Sequence, residues 1–124
     1  MTEQDKRDLI KAFMDAWERG DARAVMQVMC DDAVYSASVG PEPGISYAGR
    51  AQLEQGVAKM LEFEAGGESR QGRVWFASDR AFAEWSYDDV ADDGSLLEIK
   101  GIDVIQMADG MIASIDAYRK CLEP

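Results

Sequence analysis

Histidine is absent from this 124-residue sequence, and its absence excludes more chemistry than any other missing residue type. Histidine is the commonest general base and the commonest zinc ligand, and it activates most serine and cysteine nucleophiles. Mechanisms that need a histidine are therefore excluded. Any reaction must use carboxylates, tyrosine, lysine, arginine or cysteine.

Cysteine is scarce as well. Cys30 and Cys121 lie far apart and in no metal-ligand spacing. Because the N-terminus is charged from the start and lacks the pattern of a signal peptide, we expect a cytoplasmic protein with reduced thiols. The aspartate pairs at 31–32 and 92–93 have no oxygen-ligand loop around them. We interpret them as solvated turns, and we expect no metal and no other cofactor.

Positive charge and long apolar runs are also limited. The chain has 13 Lys and Arg against 24 Asp and Glu, a net charge of -11, so nucleic acids and anionic membrane surfaces would be repelled. No apolar run approaches the roughly 20 residues that a membrane span needs. A hydrophobic content of 47% with 30% charged residues is ordinary for a globular protein. The length predicts a single domain over 1–124.

The N-terminal half carries three helix patterns. Thr2 and Asp5 form a helix-start box, and apolar residues then recur at helical spacing until Gly20. A short second helix is predicted from an Asp21 cap through Cys30. A third helix is predicted over about 50–63, where apolar residues again follow helical spacing.

The rest of the chain shows the alternation of strands. One strand is predicted at 33–38, before a loop, GPEPGISYAG, in which proline and glycine disfavour regular structure. Three turn signals then divide four strands, at about 71–77, 81–90, 95–107 and 111–121. This order predicts an α+β fold, a cone-shaped barrel in which three N-terminal helices pack on a curved, mostly antiparallel sheet.

An aspartate interrupts the most apolar of these strands. Alternate residues of strand 95–107 form the face toward the helices, and Asp103 is the one charged member of that row. A carboxyl in an apolar cavity has a raised pKa, so Asp103 can act as an acid or a base near neutral pH. Alternatively, it accepts hydrogen bonds from Tyr35, Arg119 or backbone amides and holds the strands in register.

The turns decide which residues share the face of Asp103. A three-residue loop at 108–110 places Met111, Ala113, Ile115 and Ala117 inward, and we prefer it to a two-residue turn.

For the hairpin at 92–93 we assume a two-residue turn, which points Phe82, Glu84, Ser86 and Asp88 inward. An apolar outer face then remains, which a homodimer packed sheet to sheet would cover. It consists of Trp85, Tyr87, Ile102, Val104 and Tyr118. A three-residue turn would instead make Trp85 core and remove both Glu84 from the cavity and the argument for a dimer.

These orientations define a candidate site beneath the helices. Its catalytic candidates are Asp103, Glu84 and Tyr35. Its ligand-contacting candidates line the same cavity or its open end, and they are Phe13, Trp17, Val57, Leu61, Phe82, Ser86, Ile105, Ile115 and Arg119. Arg119 has two alternative roles, as an anchor for an anion or as an ion-pair partner of Asp88. We expect the site to bind a small, largely apolar molecule with a carbonyl or hydroxyl group.

Four segments together resemble the SnoaL-like branch of the nuclear-transport-factor-2-like superfamily, whose cone-shaped fold is shared with ketosteroid isomerase. They are WERGD, CDDAVY, YAGRAQLEQGV and GIDVIQMADGMIASIDAY, and they cover nearly the whole chain. The resemblance implies a small-molecule pocket and an isomerase-, cyclase-, dehydratase- or hydrolase-like enzyme. The alternative is a non-catalytic module of the same fold that binds a hydrophobic ligand or dimerises.

The resemblance also locates the residues of known members. Asp103 in IDVIQM matches the strand aspartate with which ketosteroid isomerases help to bind the oxyanion. Phe13 stands in place of their tyrosine and Ala37 in place of their proton-shuttling aspartate. Glu84 and Ser86 lie near the positions of the arginine and aspartate of limonene-epoxide-hydrolase-like members. The histidine-aspartate pair of SnoaL-type cyclases has no counterpart, so the resemblance implies the fold with a different catalytic set.

Overall fold

The structure is a computed structural model, and it describes residues 1–120. Within these residues three helices and six strands follow one another. In order they are α1 (Glu3–Glu18), α2 (Ala22–Gln27), β1 (Met29–Ser36), β2 (Ser46–Ala48), α3 (Arg50–Glu64), β3 (Ser69–Ala77), β4 (Arg80–Val90), β5 (Leu96–Ala108) and β6 (Met111–Arg119). The predicted α+β class is confirmed. None of the helices in this part of the chain is long and apolar enough to cross a membrane.

The six strands form one curved sheet in the order β2-β1-β6-β5-β4-β3. β1 runs parallel to β6, and the other neighbouring pairs are antiparallel. The sheet does not close into a barrel, because β2 and β3 remain as separate edges. β2 lies inside the segment that the sequence predicted to be irregular. Its three residues pair with the end of β1. The irregular segment with the prolines and glycines therefore ends where this short edge strand begins.

The N-terminal box of α1 forms as predicted. The Thr2 hydroxyl accepts a hydrogen bond from the Asp5 N–H at 3.0 Å, and the Thr2 N–H donates to Asp5 Oδ2 at 2.9 Å. Each bond satisfies a backbone donor that the first turn would otherwise leave without a partner. The inner face of α1 then buries Leu9, Ile10 and Phe13 against the sheet.

The second helix is shorter than the sequence predicted. α2 ends at Gln27, and Cys30 already belongs to β1. The two aspartates that follow lie in an irregular part of β1, since the register with β6 shifts between Met29 and Val34. Arg50 at the start of α3 reaches Asp31 at 3.0 Å. The predicted helix was too long because Met29 pairs with Ile112 of β6 and so begins the strand. Cys121 and the predicted end of the last strand lie outside the described residues.

The turn between β4 and β5 has three residues, not the predicted two. The Ala91 N–H donates to the Ser95 carbonyl at 2.9 Å, and Gly94 between them has φ of 83°. Three-residue hairpin loops need such a left-handed residue, and glycine adopts it without strain. The register therefore shifts by one residue, and Trp85 pairs with Gly101.

This shift reverses which residues of β4 face the helices. Ala83 and Tyr87 are buried, and Trp85 points toward the helices with them. Glu84 and Phe82 belong to the outer face, so their predicted inward orientation is wrong. The Glu84 carboxylate accepts a hydrogen bond from Arg73 Nε at 3.3 Å, on the outer face.

The hairpin between β5 and β6 has a register that differs from the predicted one, although the inward row is nearly the same. Its turn has two residues, Asp109 and Gly110, since Ala108 pairs with Met111. The predicted three-residue loop is thus wrong. A bulge after Ile112 then inserts one residue, so that Ile105 pairs with Ile115 and Asp103 with Ala117, two residues beyond the partners that a loop at 108–110 would give. The row that faces the helices is confirmed at Ile115 and Ala117, while Ile112 is buried in place of Met111.

Candidate functional site

A cavity of about 60 Å³ lies between α1, α3 and the inner face of the sheet. Six aromatic rings line it, those of Phe13, Trp17, Tyr35, Phe63, Trp85 and Tyr87. Three carboxyl groups also border it, Asp103 from β5, Glu64 from α3 and Glu18 from α1. The cavity is smaller than the roughly 300–1,000 Å³ of pockets for drug-sized ligands. It fits a small molecule or one end of a larger one.

β5 carries Asp103 into this cavity between two alanines. Ala83 and Ala117 are its neighbours in the sheet, and their small side chains leave the space in front of the carboxyl open. Trp85 Nε1 donates to Asp103 Oδ1 at 2.8 Å. Within residues 1–120 the second oxygen has no hydrogen-bond partner, and it is not sealed off from solvent. This oxygen is available to a ligand.

Desolvation sets the protonation of Asp103. It raises the pKa of this carboxyl to about 7, although the hydrogen bond from Trp85 acts in the opposite direction. The negative charges of Glu64 and Asp116 raise the pKa further. A carboxyl with this pKa exchanges its proton near neutral pH.

The bond between Trp85 and Asp103 depends on Gly101. A Cβ atom at this position would overlap the six-membered ring of Trp85 and the carbonyl of Tyr118. Because Trp85 pairs directly with Gly101, the indole lies across the glycine and its N–H reaches the next inward residue of β5. Glycine is thus required at position 101 because the Trp85 side chain approaches the backbone there too closely for a Cβ atom.

The second carboxyl of the cavity, Glu64, is one that sequence reasoning missed. Trp17 Nε1 lies 3.2 and 3.3 Å from its two oxygens, and the Ser69 hydroxyl lies 3.3 Å away. Burial raises the pKa of Glu64. The signal was present in the sequence, since Glu64 follows Val57 and Met60 at the spacing of one helix face. We expected the partner of Asp103 on a neighbouring strand, whereas it lies on α3.

Tyr35 of β1 presents its hydroxyl to the same cavity. The residue is 6% exposed, and its ring centroid lies 5.8 Å from that of Trp17 and 6.3 Å from that of Tyr47. The hydroxyl has no hydrogen-bond partner in the described part of the chain, yet it is not enclosed. Burial and the charge of Asp103 raise the pKa of Tyr35 well above its ordinary value. It therefore remains a protonated donor at neutral pH.

The basic residues near the cavity are already paired. Arg70 borders it, but its guanidinium binds Asp88 at 2.7 Å and Glu98 at 3.1 Å. Asp88 therefore pairs with Arg70 rather than with Arg119, one of the two roles considered for Arg119. Arg119 lies opposite Gly101 in the sheet and does not line the cavity.

The remaining candidates divide into three groups. Phe13 and Trp17 line the cavity as predicted. Three candidates lie in the core without reaching the cavity, and they are Val57, Ile105 and Ile115. Ser86 borders the wall, but its hydroxyl accepts a hydrogen bond from Arg70 Nε at 3.2 Å. The structure thus brings Asp103, Tyr35, Phe13 and Trp17 together and leaves Glu84 and Phe82 outside.

Leu61 contributes to a second space, an open cleft of about 490 Å³ at the ends of α1 and α3. The cleft adjoins the cavity, because both are bordered by Trp17, Glu18, Glu64 and Ser69. Trp17 and Glu64 therefore stand at the boundary between a narrow inner space and a wide outer one. We call this boundary the mouth of the cavity.

The sequence matches the model of the SnoaL-like domain over residues 10–115. The chain belongs to the SnoaL-like domain family. The resemblance expected from the four sequence segments is thereby confirmed. The sequence matches no functionally curated protein.

Solved structures agree with this family. A nuclear-transport-factor-2-like protein of unknown function from Mesorhizobium loti is 24% identical with a TM-score of 0.79, and the match covers 95% of this chain and 93% of that one. The epoxide hydrolase/cyclase-like enzyme SalBIII, from pyran ring formation in salinomycin, is 16% identical with a TM-score of 0.77 and coverage of 95% and 92%. A protein of ketosteroid isomerase-like fold from Catenulispora acidiphila, in complex with trimethylamine, is 16% identical with a TM-score of 0.73 and coverage of 89% and 83%. At these identities the likeness shows the fold alone.

Proposed function

We propose that this SnoaL-like domain is an enzyme that uses Asp103 to move a proton on a small molecule with a carbonyl or hydroxyl group. The observation that carries the proposal is the state of Asp103. Its pKa is about 7, one oxygen is held by Trp85, and the other is available to the cavity. A general acid or base is most effective when its pKa lies near the working pH.

The geometry supports proton transfer next to a carbonyl group. Ionised Asp103 takes a proton from the carbon beside the carbonyl, and the electron pair of the C–H bond moves toward the carbonyl oxygen. Tyr35, whose raised pKa keeps its proton in place, donates a hydrogen bond to the oxygen that gains charge. Asp103 then returns the proton to another carbon, which isomerises the substrate, or to a departing hydroxyl, which leaves as water.

The dimensions of the site restrict the substrate. A volume of about 60 Å³ is well below the roughly 300–1,000 Å³ of pockets for drug-sized ligands. The cavity therefore takes the reacting end of a substrate, and the cleft of about 490 Å³ holds what remains. A protein of the same fold has been solved in complex with trimethylamine. This supports a small-molecule ligand.

Hydrogen exchange on carbon tests this proposal before the natural substrate is identified. A panel of small ketones and aldehydes is incubated with the protein in D₂O, and ¹H NMR follows loss of the protons next to the carbonyl. We expect exchange in at least one compound, with Asp103→Asn lowering its rate by about 100-fold or more. Glu84→Gln is the matched control, since it removes a carboxylate from the outer face of the neighbouring strand.

Two results would count against this function. One is an unchanged exchange rate in a folded Asp103→Asn variant. The other is a ligand that binds in the cavity without exchange or product, which would favour the non-catalytic alternative.

A specific observation favours association as a second function. The three-residue turn removes Trp85 and Tyr87 from the outer face of the sheet, and with them the original argument for a dimer, but an apolar strip remains on that face beside Glu84. It carries Trp75, Phe82, Ile102, Val104 and Tyr118 on four neighbouring strands. Trp75 is 45% exposed and Tyr118 is 55% exposed. We propose that a second copy of the chain covers this face, because monomers rarely expose large contiguous apolar patches.

Sedimentation measures this association directly. We expect a dimer for the unmodified chain and a monomer for Tyr118→Asp, because the introduced charge would be buried at the interface. Leu96→Asp is the control, since Leu96 is 64% exposed and lies beside the β4–β5 turn. A monomeric wild-type protein at all concentrations would exclude the dimer.

A further inference from the structure

We propose that the substrate carries a positively charged amine, bound at the mouth by Glu64 and the surrounding aromatic rings, while its carbonyl or hydroxyl end reaches Asp103. This inference rests on the proposed function and adds a substrate class to it. It follows from the partners of the charged groups, the aromatic wall and the position of Glu64 between the two spaces.

The charged groups at the mouth are unbalanced. Glu64 is bound by Trp17 and Ser69, which are both neutral donors. Glu18, which borders both spaces, accepts a hydrogen bond from the neutral amide of Gln71 at 2.8 Å. Within residues 1–120 no cationic side chain lies in ion-pair distance of either carboxylate.

The arginines that line the two spaces, Arg70 and Arg19, already have anionic partners. Arg70 is bound to Asp88 and Glu98, as described above. Arg19 lines the cleft, but its Nε lies 3.6 Å from Asp21. Glu64 is half-buried, Glu18 is exposed, and neither charge is neutralised by the protein, so both are left for a cationic ligand. The net charge of -11 also raises the local concentration of cations over that of anions.

The aromatic wall suits an alkylated ammonium group. The rings of Trp17 and Tyr35 meet edge to face with centroids 5.8 Å apart, and those of Phe63 and Tyr87 do so at 6.4 Å. All four rings line the cavity that Glu64 borders. Aromatic faces attract cations, and cages of several rings are the usual way in which proteins bind quaternary ammonium groups.

Tyr35 gives independent evidence for a polar ligand. It is 6% exposed, and its hydroxyl has no hydrogen-bond partner in the described residues. The hydroxyl is not enclosed and faces the cavity, so this donor is available to an oxygen of the ligand. A molecule with a cationic end at Glu64 and an oxygen near Tyr35 and Asp103 would satisfy both groups. The substrate class is therefore a small amino ketone, amino aldehyde or amino alcohol.

The first test compares two probes of equal size. Tetramethylammonium chloride and tert-butanol each have five non-hydrogen atoms, but only the first is charged. Calorimetric titration at fixed ionic strength gives both dissociation constants. We expect tetramethylammonium to bind at least tenfold more tightly. Equal or tighter binding of tert-butanol would overturn the inference.

The second test removes the charge at the mouth. Glu64→Gln keeps an acceptor for the Trp17 N–H, and we expect it to weaken tetramethylammonium binding about tenfold. Glu54→Gln removes a charge from an exposed position of the same helix and is the matched control. An unchanged affinity in Glu64→Gln would overturn the inference. If Asp103→Asn still stopped carbon exchange, the proposed function would stand without the cationic substrate.

The pH dependence in the wild-type protein gives a test that needs no variant. Charged and titratable groups border the cavity from α1, β1, α3, β3, β4 and β5, and they are Glu18, Tyr35, Glu64, Arg70, Tyr87 and Asp103. Asp103 gains its negative charge as the pH increases through about 7, and burial raises the pKa of Glu64, so both carboxyls carry more negative charge at pH 8 than at pH 5. Tetramethylammonium should therefore bind more tightly at pH 8 than at pH 5. The opposite order would contradict the inference.

Discussion

Replacing Trp85 by phenylalanine tests the account of Asp103 most directly. The substitution keeps an aromatic ring beside Gly101 and removes the N–H that donates to Asp103 Oδ1 at 2.8 Å. That bond stabilises the ionised carboxylate more than the neutral acid, and so it lowers the pKa of Asp103. Without it the pKa must increase.

The size of the increase follows from the hydrogen bond. Bonds to charged groups contribute about 1.5–3 kcal/mol, and one pKa unit corresponds to about 1.4 kcal/mol. Loss of the hydrogen bond alone would therefore raise the pKa of Asp103 by roughly one to two pKa units. Water from the cavity can hydrate the exposed oxygen and offset part of this loss, so we expect the pKa to move from about 7 to about 8.

Carbon NMR measures this shift without a substrate. The ¹³Cγ resonance of Asp103 is assigned by its absence in Asp103→Asn, and its chemical shift is followed from pH 4 to pH 10. Trp75→Phe is the matched control, since Trp75 lies on the outer face and is 45% exposed. A pKa in Trp85→Phe that equals or falls below the wild-type value would refute the reasoning.

Three further predictions concern stability, and urea unfolding measures each of them. Since its folded pKa is raised from 3.8 to about 7, Asp103 contributes stability below about pH 4 that is lost as the pH increases to 7. Relative to wild type, Asp103→Asn should therefore gain up to about 4 kcal/mol between pH 4 and pH 8, and a constant difference would contradict this. Gly101→Ala should cost about 1–3 kcal/mol, because the new methyl group overlaps the Trp85 ring, and an unchanged midpoint would show that the ring can move freely. Thr2→Ala should lower the free energy of unfolding by about 1 kcal/mol through loss of the helix cap, and Thr2→Ser should retain most of the stabilisation that the cap provides.

Periodicity in the sequence was sufficient for the elements and the fold class. The helix pattern before Gly20 and the strand pattern after residue 70 correspond to α1 and to β3 through β6. These patterns work because each element buries one continuous face, so a period of 3.6 or 2 is maintained over many residues. The errors concern α2, which is shorter than predicted, β1, which begins earlier than predicted, and β2, which was not predicted. All three depend on the pairing of β1 with β6 and with β2.

Side-chain orientation was predicted less well, because it depends on single residues in turns. One extra residue at the 92–94 turn moved Glu84 outside and Trp85 inside. Both registers leave alternating apolar residues on each face of β4, so the pattern alone could not decide between them. The register follows from the three-residue loop in which Gly94 has a positive φ. The presence of Gly94 in the sequence did not show whether the loop would have two or three residues.

The inward orientation of Asp103 could be predicted for a different reason. Its row in β5 is apolar on both sides of the aspartate, so either register of the neighbouring strands leaves it facing the helices. Glu64 was missed because a charged residue at the end of a helix is normally solvated. Its burial arises from Trp17, whose position relative to α3 depends on how the two helices pack across the sheet.

A comparison of two aspartates in this fold explains why chemistry is expected at one and not at the other. Asp88 binds the guanidinium of Arg70 at 2.7 Å, and this cation lowers its pKa, so it remains ionised and paired at neutral pH. Asp103 is bound by an indole N–H, which orients the carboxyl but adds no positive charge. Desolvation therefore dominates, and its pKa increases to about 7. Glu64 is held by the other cavity tryptophan in the same way, and its pKa is raised too. Because neutral donors fix both carboxyls without neutralising them, their charge and their protons remain available to a bound molecule.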